Sequence, residues 1–125
     1  MNINDLVPDL KICQEAKEKG VVIESAFKYF KFSLNKDYLL QFDPTNDFMT
    51  LSGELEDKVS APLTDEILEI FKTKNKLDSF EVIKKKDGYN AYFWNDKDCN
   101  WTEVFDKKLS NALLLLAIKL KEEDL

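Results

Sequence analysis

The chain has 125 residues and a net charge of −6, and all of its basic residues are lysine because it contains neither arginine nor histidine. Without histidine it lacks the side chain that titrates near neutral pH, which argues against most acid–base, triad and zinc chemistry. Without arginine it lacks the planar group that binds phosphate and guanine with two hydrogen bonds, and the negative charge repels a phosphate backbone. We therefore expect no enzymatic activity, no cofactor, no metal and no nucleic-acid partner.

The size and composition indicate one globular domain, residues 1–125, large enough to bury its own core. Cys13 and Cys99 fit a reducing compartment better than a disulfide framework, and we expect both to be reduced and structural. The N-terminus lacks the basic and apolar regions of a secretory signal, and the longest apolar run, residues 112–118, is too short to cross a bilayer. A cytoplasmic protein without membrane contact is expected.

The first half of the chain predicts one helix followed by strands. The helix covers residues 5–19, and Gly20 follows in the position at which glycine commonly ends a helix. Aromatic-rich or apolar runs bounded by turn residues predict three strands, at residues 23–34, 38–42 and 48–51. The acidic segment 52–60 is expected to be a surface loop.

The second half begins with a helix from residue 61 to 74, in which Thr64 can cap the first turn. Its expected buried stripe consists of Leu63, Ile67, Ile70 and Phe71. Residues 74–77 are a connection. Asp87-Gly88 then predicts a type I′ hairpin between strands 80–86 and 89–94. A polar loop at 95–100 and a strand at 101–105 lead to the last helix.

The longest apolar segment, residues 107–121, predicts the helix around which the rest of the chain packs. Asp106 is its expected N-cap, and Leu113, Leu116 and Leu120 form the stripe that should be buried against a sheet. On the opposite face, three further aliphatic side chains suggest an interface with a partner or a second copy: Leu114, Leu115 and Ile118. Either the other helices cover this patch or a homodimer does, and symmetric dimers are the commonest oligomers.

Because the strands occur in consecutive hairpins rather than alternating with helices, the expected class is α+β. We predict an antiparallel sheet of five or six strands, built from two hairpin groups and covered by three helices.

Two local patterns resemble binding motifs. Residues 96–100 begin like an EF-hand loop, but Trp101 replaces the required glycine and Lys107 the bidentate glutamate, so a solvated loop is expected. Lys84, Lys85 and Lys86 lie near aromatic residues and could follow a nucleic-acid strand, although lysines also protect exposed strand edges from aggregation. With a net charge of −6, the second interpretation is favoured.

Three segments resemble a family of small phage and prophage proteins. They are a first helix with Leu10, Cys13, Lys17 and Gly20, the helix start at residues 61–68 with its Ala-Pro-x-Thr-Asp-Glu pattern, and residues 110–113 of the last helix. The family has no activity that can be carried over, so the resemblance implies no catalytic residue. It implies an origin in a mobile element and a location in the cytoplasm of a bacterial host.

We therefore predict a non-enzymatic accessory protein of a phage or mobile element that acts by binding a host or phage protein. Inhibition of a host process is one effect that such binding can have. Two alternatives remain open. One is a cryptic enzyme or nucleotide-binding protein that uses carboxylate and lysine groups. The other is an acidic immunity-type protein that blocks a basic toxin.

Overall fold

A computed structural model describes residues 2–42, 53–73, 79–96 and 99–123. After a 3₁₀ turn at Ile3–Asp5, the described elements are α1 (Leu10–Glu18), β1 (Phe27–Phe32), β2 (Leu39–Phe42), β3 (Leu55–Ser60), α2 (Thr64–Thr73), β4 (Phe80–Lys84), β5 (Tyr89–Asn95), β6 (Asn100–Asp106) and α3 (Leu109–Glu122). The predicted α+β class, with antiparallel strands and three helices, is confirmed. The strand predicted at 48–51 and the connection predicted at 74–77 lie outside the described residues.

The strands that the structure describes form two antiparallel sheets of three strands each, so the prediction that the strands form a single sheet is wrong. The strand orders are β2-β1-β3 and β4-β5-β6. In the second sheet each strand pairs with the next one along the chain, whereas in the first sheet β3 pairs with β1 rather than with the preceding β2. Helix α3 packs on β5 and β6, and α1 packs on both β3 and α3. Helices therefore join the two sheets, and their side chains share one core.

Strand β3 lies where the sequence predicted a loop. It pairs antiparallel with β1, with Val59 opposite Tyr29, and these two side chains are buried. The other side chains of β3 are mostly charged and exposed because β3 is an edge strand. Charged residues protect such an edge from pairing with other chains. Because most of these residues are charged, the segment lacks the apolar pattern by which a strand is predicted from sequence.

Helix α1 starts five residues later than predicted but ends where expected. Pro8 lies before the helix rather than in its first turn, and the preceding residues form the separate 3₁₀ turn. At the other end Gly20 has a φ of +80°. Its N–H donates to the Lys17 carbonyl at 3.2 Å, and the Val21 N–H donates to the Ala16 carbonyl at 2.8 Å. This pair of bonds is a Schellman motif, which fixes the direction in which the chain leaves α1.

Helix α2 begins at Thr64, so Leu63 rather than Thr64 occupies the capping position. The Glu66 carboxylate accepts the Leu63 backbone N–H at 2.8 Å, which is the glutamate half of a capping box. Ile67 and Phe71 of the predicted stripe are fully buried. The two others, Leu63 and Ile70, are half-buried.

The β4–β5 hairpin is confirmed, with Lys84 opposite Tyr89, but its predicted turn type is wrong. Gly88 does not have the positive φ that a type I′ turn requires. A side chain at this position would meet the end of β6, since a Cβ added to Gly88 would lie 2.5 Å from the Asp106 carbonyl oxygen. Glycine is therefore needed here for close approach of two backbones rather than for a left-handed turn.

Helix α3 is the centre of the fold, as predicted, and Leu113, Leu116 and Leu120 are buried in the core. Of the two alternatives for its opposite face, cover within the chain is the one found for Leu114 and Ile118, which are only 1% and 2% exposed in the single chain. Leu115 is half-buried. The contacts of α3 with α1 and α2, together with those to the sheet, enclose the helix on several sides. These residues give no basis for a homodimer.

Candidate functional site

A polar network at the start of α3 joins this helix to the start of α1. The Asn111 side chain, 2% exposed, accepts the Asp9 N–H at 2.8 Å and donates to the carboxylates of Asp9 at 2.9 Å and Asp106 at 3.0 Å. Lys108 forms an ion pair with Asp9 at 2.8 Å. Asp106 is not the N-cap, a position held by Lys108, but it accepts the Lys108 N–H at 3.0 Å.

The charges of this network favour a structural role. The hydrogen bond from Lys108 lowers the pKa of Asp9, against an opposing contribution from burial. A carboxyl group with a lowered pKa is ionised at neutral pH and is a weak base, so the network suits docking of α1 better than proton transfer.

A second cluster holds α1 to the edge of the first sheet. The Asp57 carboxylate accepts from the Lys17 ammonium group and from the Tyr38 hydroxyl, each at 2.7 Å. The Lys17 hydrogen bond lowers the pKa of Asp57, and the hydrogen bond to Asp57 raises the pKa of Tyr38. Both shifts move the pKa values further from neutral pH, so the cluster has the properties of a structural contact rather than of an acid–base pair.

The two cysteines differ in their surroundings. Cys13 is buried, and burial raises the pKa of its thiol to about 12, which leaves it unreactive at neutral pH. Cys99 is exposed, in a turn where its φ is +50° and its thiol donates to the Asp96 carbonyl at 3.7 Å, so it lies outside the core. Both are free thiols in the structure.

The two motif-like segments differ in how far they are described: residues 97 and 98 of the EF-hand-like segment lie outside the described residues, whereas all three lysines at 84–86 lie within them. Asp96 and Cys99 belong to the turn between β5 and β6, and no group of three or more carboxylate or thiol side chains in the described ranges could hold a metal ion. The three lysines at 84–86 are exposed. The Lys84 ammonium lies 4.4 Å from the centre of the Tyr89 ring, a cation–π contact that stabilises the hairpin.

The face of the β4-β5-β6 sheet turned away from α3 carries a group of aromatic residues. Alternate side chains of β5 point to opposite faces, and Ala91 and Phe93 fill the core beneath the sheet. The strand register places the following residues on the other side: Glu81, Ile83, Asn90, Tyr92, Trp94, Trp101, Glu103 and Phe105. We call this set the outer face.

Large apolar side chains of the outer face are accessible to solvent. Trp101 and Phe105 are each 48% exposed and Ile83 is 38% exposed. Trp101 lies opposite Trp94 in the register, with ring centres 5.2 Å apart, and it also contacts Tyr92 at 6.0 Å. Both ring pairs meet edge to face, an arrangement that fixes aromatic side chains in place. The outer face is thus an ordered aromatic surface.

Two carboxylates flank these rings. The register places Glu81, Tyr92 and Glu103 in one row across the three strands. The Glu103 carboxylate accepts a hydrogen bond from the Asn90 side chain at 2.7 Å, which holds it over the sheet. The pKa of Tyr92 is raised by burial first and then by the charges of Glu103 and Glu81. The centre of the outer face therefore has a negative potential.

The outer face is not evident from the sequence. The alternation of Asn90, Tyr92 and Trp94 within β5 shows that aromatic residues fall on both faces of this strand. The position of Trp101 next to Trp94 depends on the register between β5 and β6, which the polar loop before β6 does not specify.

Comparisons of the chain with protein-family models, with curated proteins and with solved structures give no match. Among the helices that the structure describes, none has the length and apolar character needed to cross a membrane.

Proposed function

We propose that this chain acts by binding another protein through the outer face, and that the partner presents a basic surface. The observation that carries the proposal is the half-exposed, ordered aromatic group of Trp101, Phe105 and their neighbours. Tryptophan and tyrosine dominate the binding energy of protein interfaces, and a contiguous exposed apolar patch is typical of an interaction surface. Rings already held by their neighbours lose little conformational freedom on binding.

The charges favour a basic partner. A lysine or arginine side chain placed over Tyr92 would contact an aromatic ring and lie between the carboxylates of Glu81 and Glu103. Such a contact combines a cation–π interaction with two ion pairs, and cation–π contacts contribute about 0.5–2 kcal/mol depending on their exposure. A second copy of the chain would instead bring the same carboxylates together, and repulsion between them opposes self-association through this face.

Nucleic acid is the less favoured occupant. Single strands stack their bases on aromatic side chains, and the outer face offers such rings. The same face carries Glu81 and Glu103, and the net charge of −6 repels phosphate. An immunity-type protein that blocks a basic toxin is a special case of the proposed function. The origin in a phage or similar element and the cytoplasmic location stay predictions.

The test compares proteins captured from a lysate of the source organism by the wild type and by variants of the outer face. Replacing Trp101→Ser together with Phe105→Ser should abolish capture of the specific partner. Leu34→Ser, which removes an exposed apolar side chain elsewhere, should leave capture unchanged. Circular dichroism and thermal unfolding verify that each variant is folded.

A charge variant tests the basic character of the partner. Glu81→Lys should weaken the complex by about tenfold or more, which corresponds to about 1.4 kcal/mol or more. Glu18→Lys makes the same change of charge on α1 and should have little effect. Equal loss with the control variants, no loss with the outer-face variants, or capture of nucleic acid in place of a protein would each contradict the proposal.

A further inference from the structure

A cavity that shares no residue with the outer face lies between α1, the segment 21–25 and the strands β1 and β3. Its volume is about 200 Å³, and its inner wall consists of apolar side chains, among them Cys13, Ala16 and Leu114. These three residues are buried in the protein. Because Cys13 and Ala16 are small, the facing surface of α1 leaves space that larger side chains would fill.

The backbone that covers the cavity is fixed at both ends. The Schellman motif holds Val21, whose N–H donates to the Ala16 carbonyl at 2.8 Å. Two residues later the Ile23 carbonyl accepts a hydrogen bond from the Ser60 hydroxyl. Val22, at the outer surface of this segment, is exposed and lines the cavity. The cavity is therefore formed before any ligand enters, which lowers the cost of binding.

The polar rim of the cavity is mainly cationic. Lys17, Lys28 and Lys58 line it together with one carboxylate, Glu24. Lys17 also pairs with Asp57 at 2.7 Å, so part of its charge is already balanced. The rim thus carries three ammonium groups and one carboxylate, in a chain whose net charge is −6. An apolar chamber with ammonium groups at its mouth complements a molecule that has an apolar body and one anionic end.

We propose that this cavity binds a small amphipathic carboxylate, with its apolar body against α1 and its carboxylate at the lysines of the rim. An apolar cavity of about 150 Å³ holds a benzene molecule, so the ligand has room for about six to eight carbon atoms. This size excludes nucleotides and long lipid chains from the chamber. The cavity is separate from the outer face, and the proposal does not depend on the proposed protein partner.

The test follows the backbone amide signals of the full chain by NMR during titration with octanoate, 1-octanol or octylamine. Octanoate should produce saturable shifts centred on Ala16 and Ile23. Octanol should bind more weakly, because it lacks the charge, and octylamine should not bind. Shifts that do not saturate, or that spread over exposed lysines throughout the surface, would overturn the proposal. Equal affinity for octanol and octanoate would overturn the assignment of an anionic ligand.

Two matched variants locate the charge. Lys58→Glu should weaken octanoate binding about three- to tenfold, as expected for reversal of one partly solvated charge, without changing octanol binding. Lys86→Glu makes the same change in the distant β4–β5 turn and should leave both affinities unchanged. Both lysines are exposed, so the variants should fold. If the two variants weaken octanoate equally, the effect arises from net charge and the proposed site is wrong.

Discussion

The buried side chain of Asn111 should contribute strongly to the free energy of unfolding, whereas that of its neighbour Ser110 should slightly destabilise the protein. Asn111→Ala removes three hydrogen bonds: the Asp9 N–H loses its acceptor, and the carboxylates of Asp9 and Asp106 each lose one donor while keeping their contacts with Lys108. A hydrogen bond contributes about 0.5–1.5 kcal/mol, and more when a charged group takes part. Because the Asp9 side chain is largely solvent-exposed, we take the lower part of that range. The expected loss for the three bonds together is about 1.5–3 kcal/mol.

Ser110 provides the matched control because it is equally buried and adjacent in the same helix. Its hydroxyl makes no hydrogen bond within the described structure. Ser110→Ala removes a buried hydroxyl whose loss of hydration is not compensated by a hydrogen bond, and it introduces a residue with a higher helix propensity. It should therefore stabilise the protein by about 0.5–1.5 kcal/mol.

Urea denaturation of both variants measures these changes, provided that the slope of the transition is unchanged. An Asn111→Ala variant within about 1 kcal/mol of the wild type would refute the network as a source of stability. A Ser110→Ala variant that is destabilised as much as Asn111→Ala would show instead that any change at the start of α3 is harmful.

Three further predictions concern pH, thiol reactivity and core packing. The pKa of Asp9 is lower in the folded protein than its ordinary value of 3.8, so ionised Asp9 stabilises the fold above that value, and this stabilisation is lost as the pH falls through the folded pKa. When the free energy of unfolding is measured during acid titration, Asp9→Asn should therefore lose less stability than the wild type. A thiol reagent at neutral pH should label Cys99 rapidly and Cys13 only after unfolding, and rapid labelling of both would contradict the raised pKa and burial of Cys13. In chemical denaturation, Leu116→Ala should lower the free energy of unfolding by about 2–5 kcal/mol, and Leu115→Ala, at a half-buried position, by about 1–2 kcal/mol. Equal losses for the two variants would contradict the burial assigned to them.

Local signals in the sequence identified the parts of the fold that local chemistry determines. The end of α1 at Gly20, the hairpin before Tyr89 and the central position of α3 each depend on residues close together in the chain. The failures depend on distant contacts. Residues 55–60 form a strand because they pair with β1, and Gly88 is a glycine because β6 passes beside it.

The candidate site was beyond sequence analysis for the same reason. An apolar face of α3 was correctly identified at Leu114 and Ile118, but whether another helix or a partner covers it depends on the packing of α1 and α2. The outer face depends on a register that brings Trp94 beside Trp101. Neither arrangement leaves a periodic signal within one element.

The most direct test of the proposed function uses the two tryptophans of the chain, Trp94 and Trp101, which both lie on the outer face. Their fluorescence therefore reports on this face without an added label. Titration with the purified partner should change the emission of both tryptophans in a saturable way, with the same dissociation constant that calorimetry gives. Rising salt should weaken binding and so increase the dissociation constant, because the complementary charges are screened. A partner that binds with full affinity while the tryptophan emission stays unchanged would show that the outer face is not the binding surface.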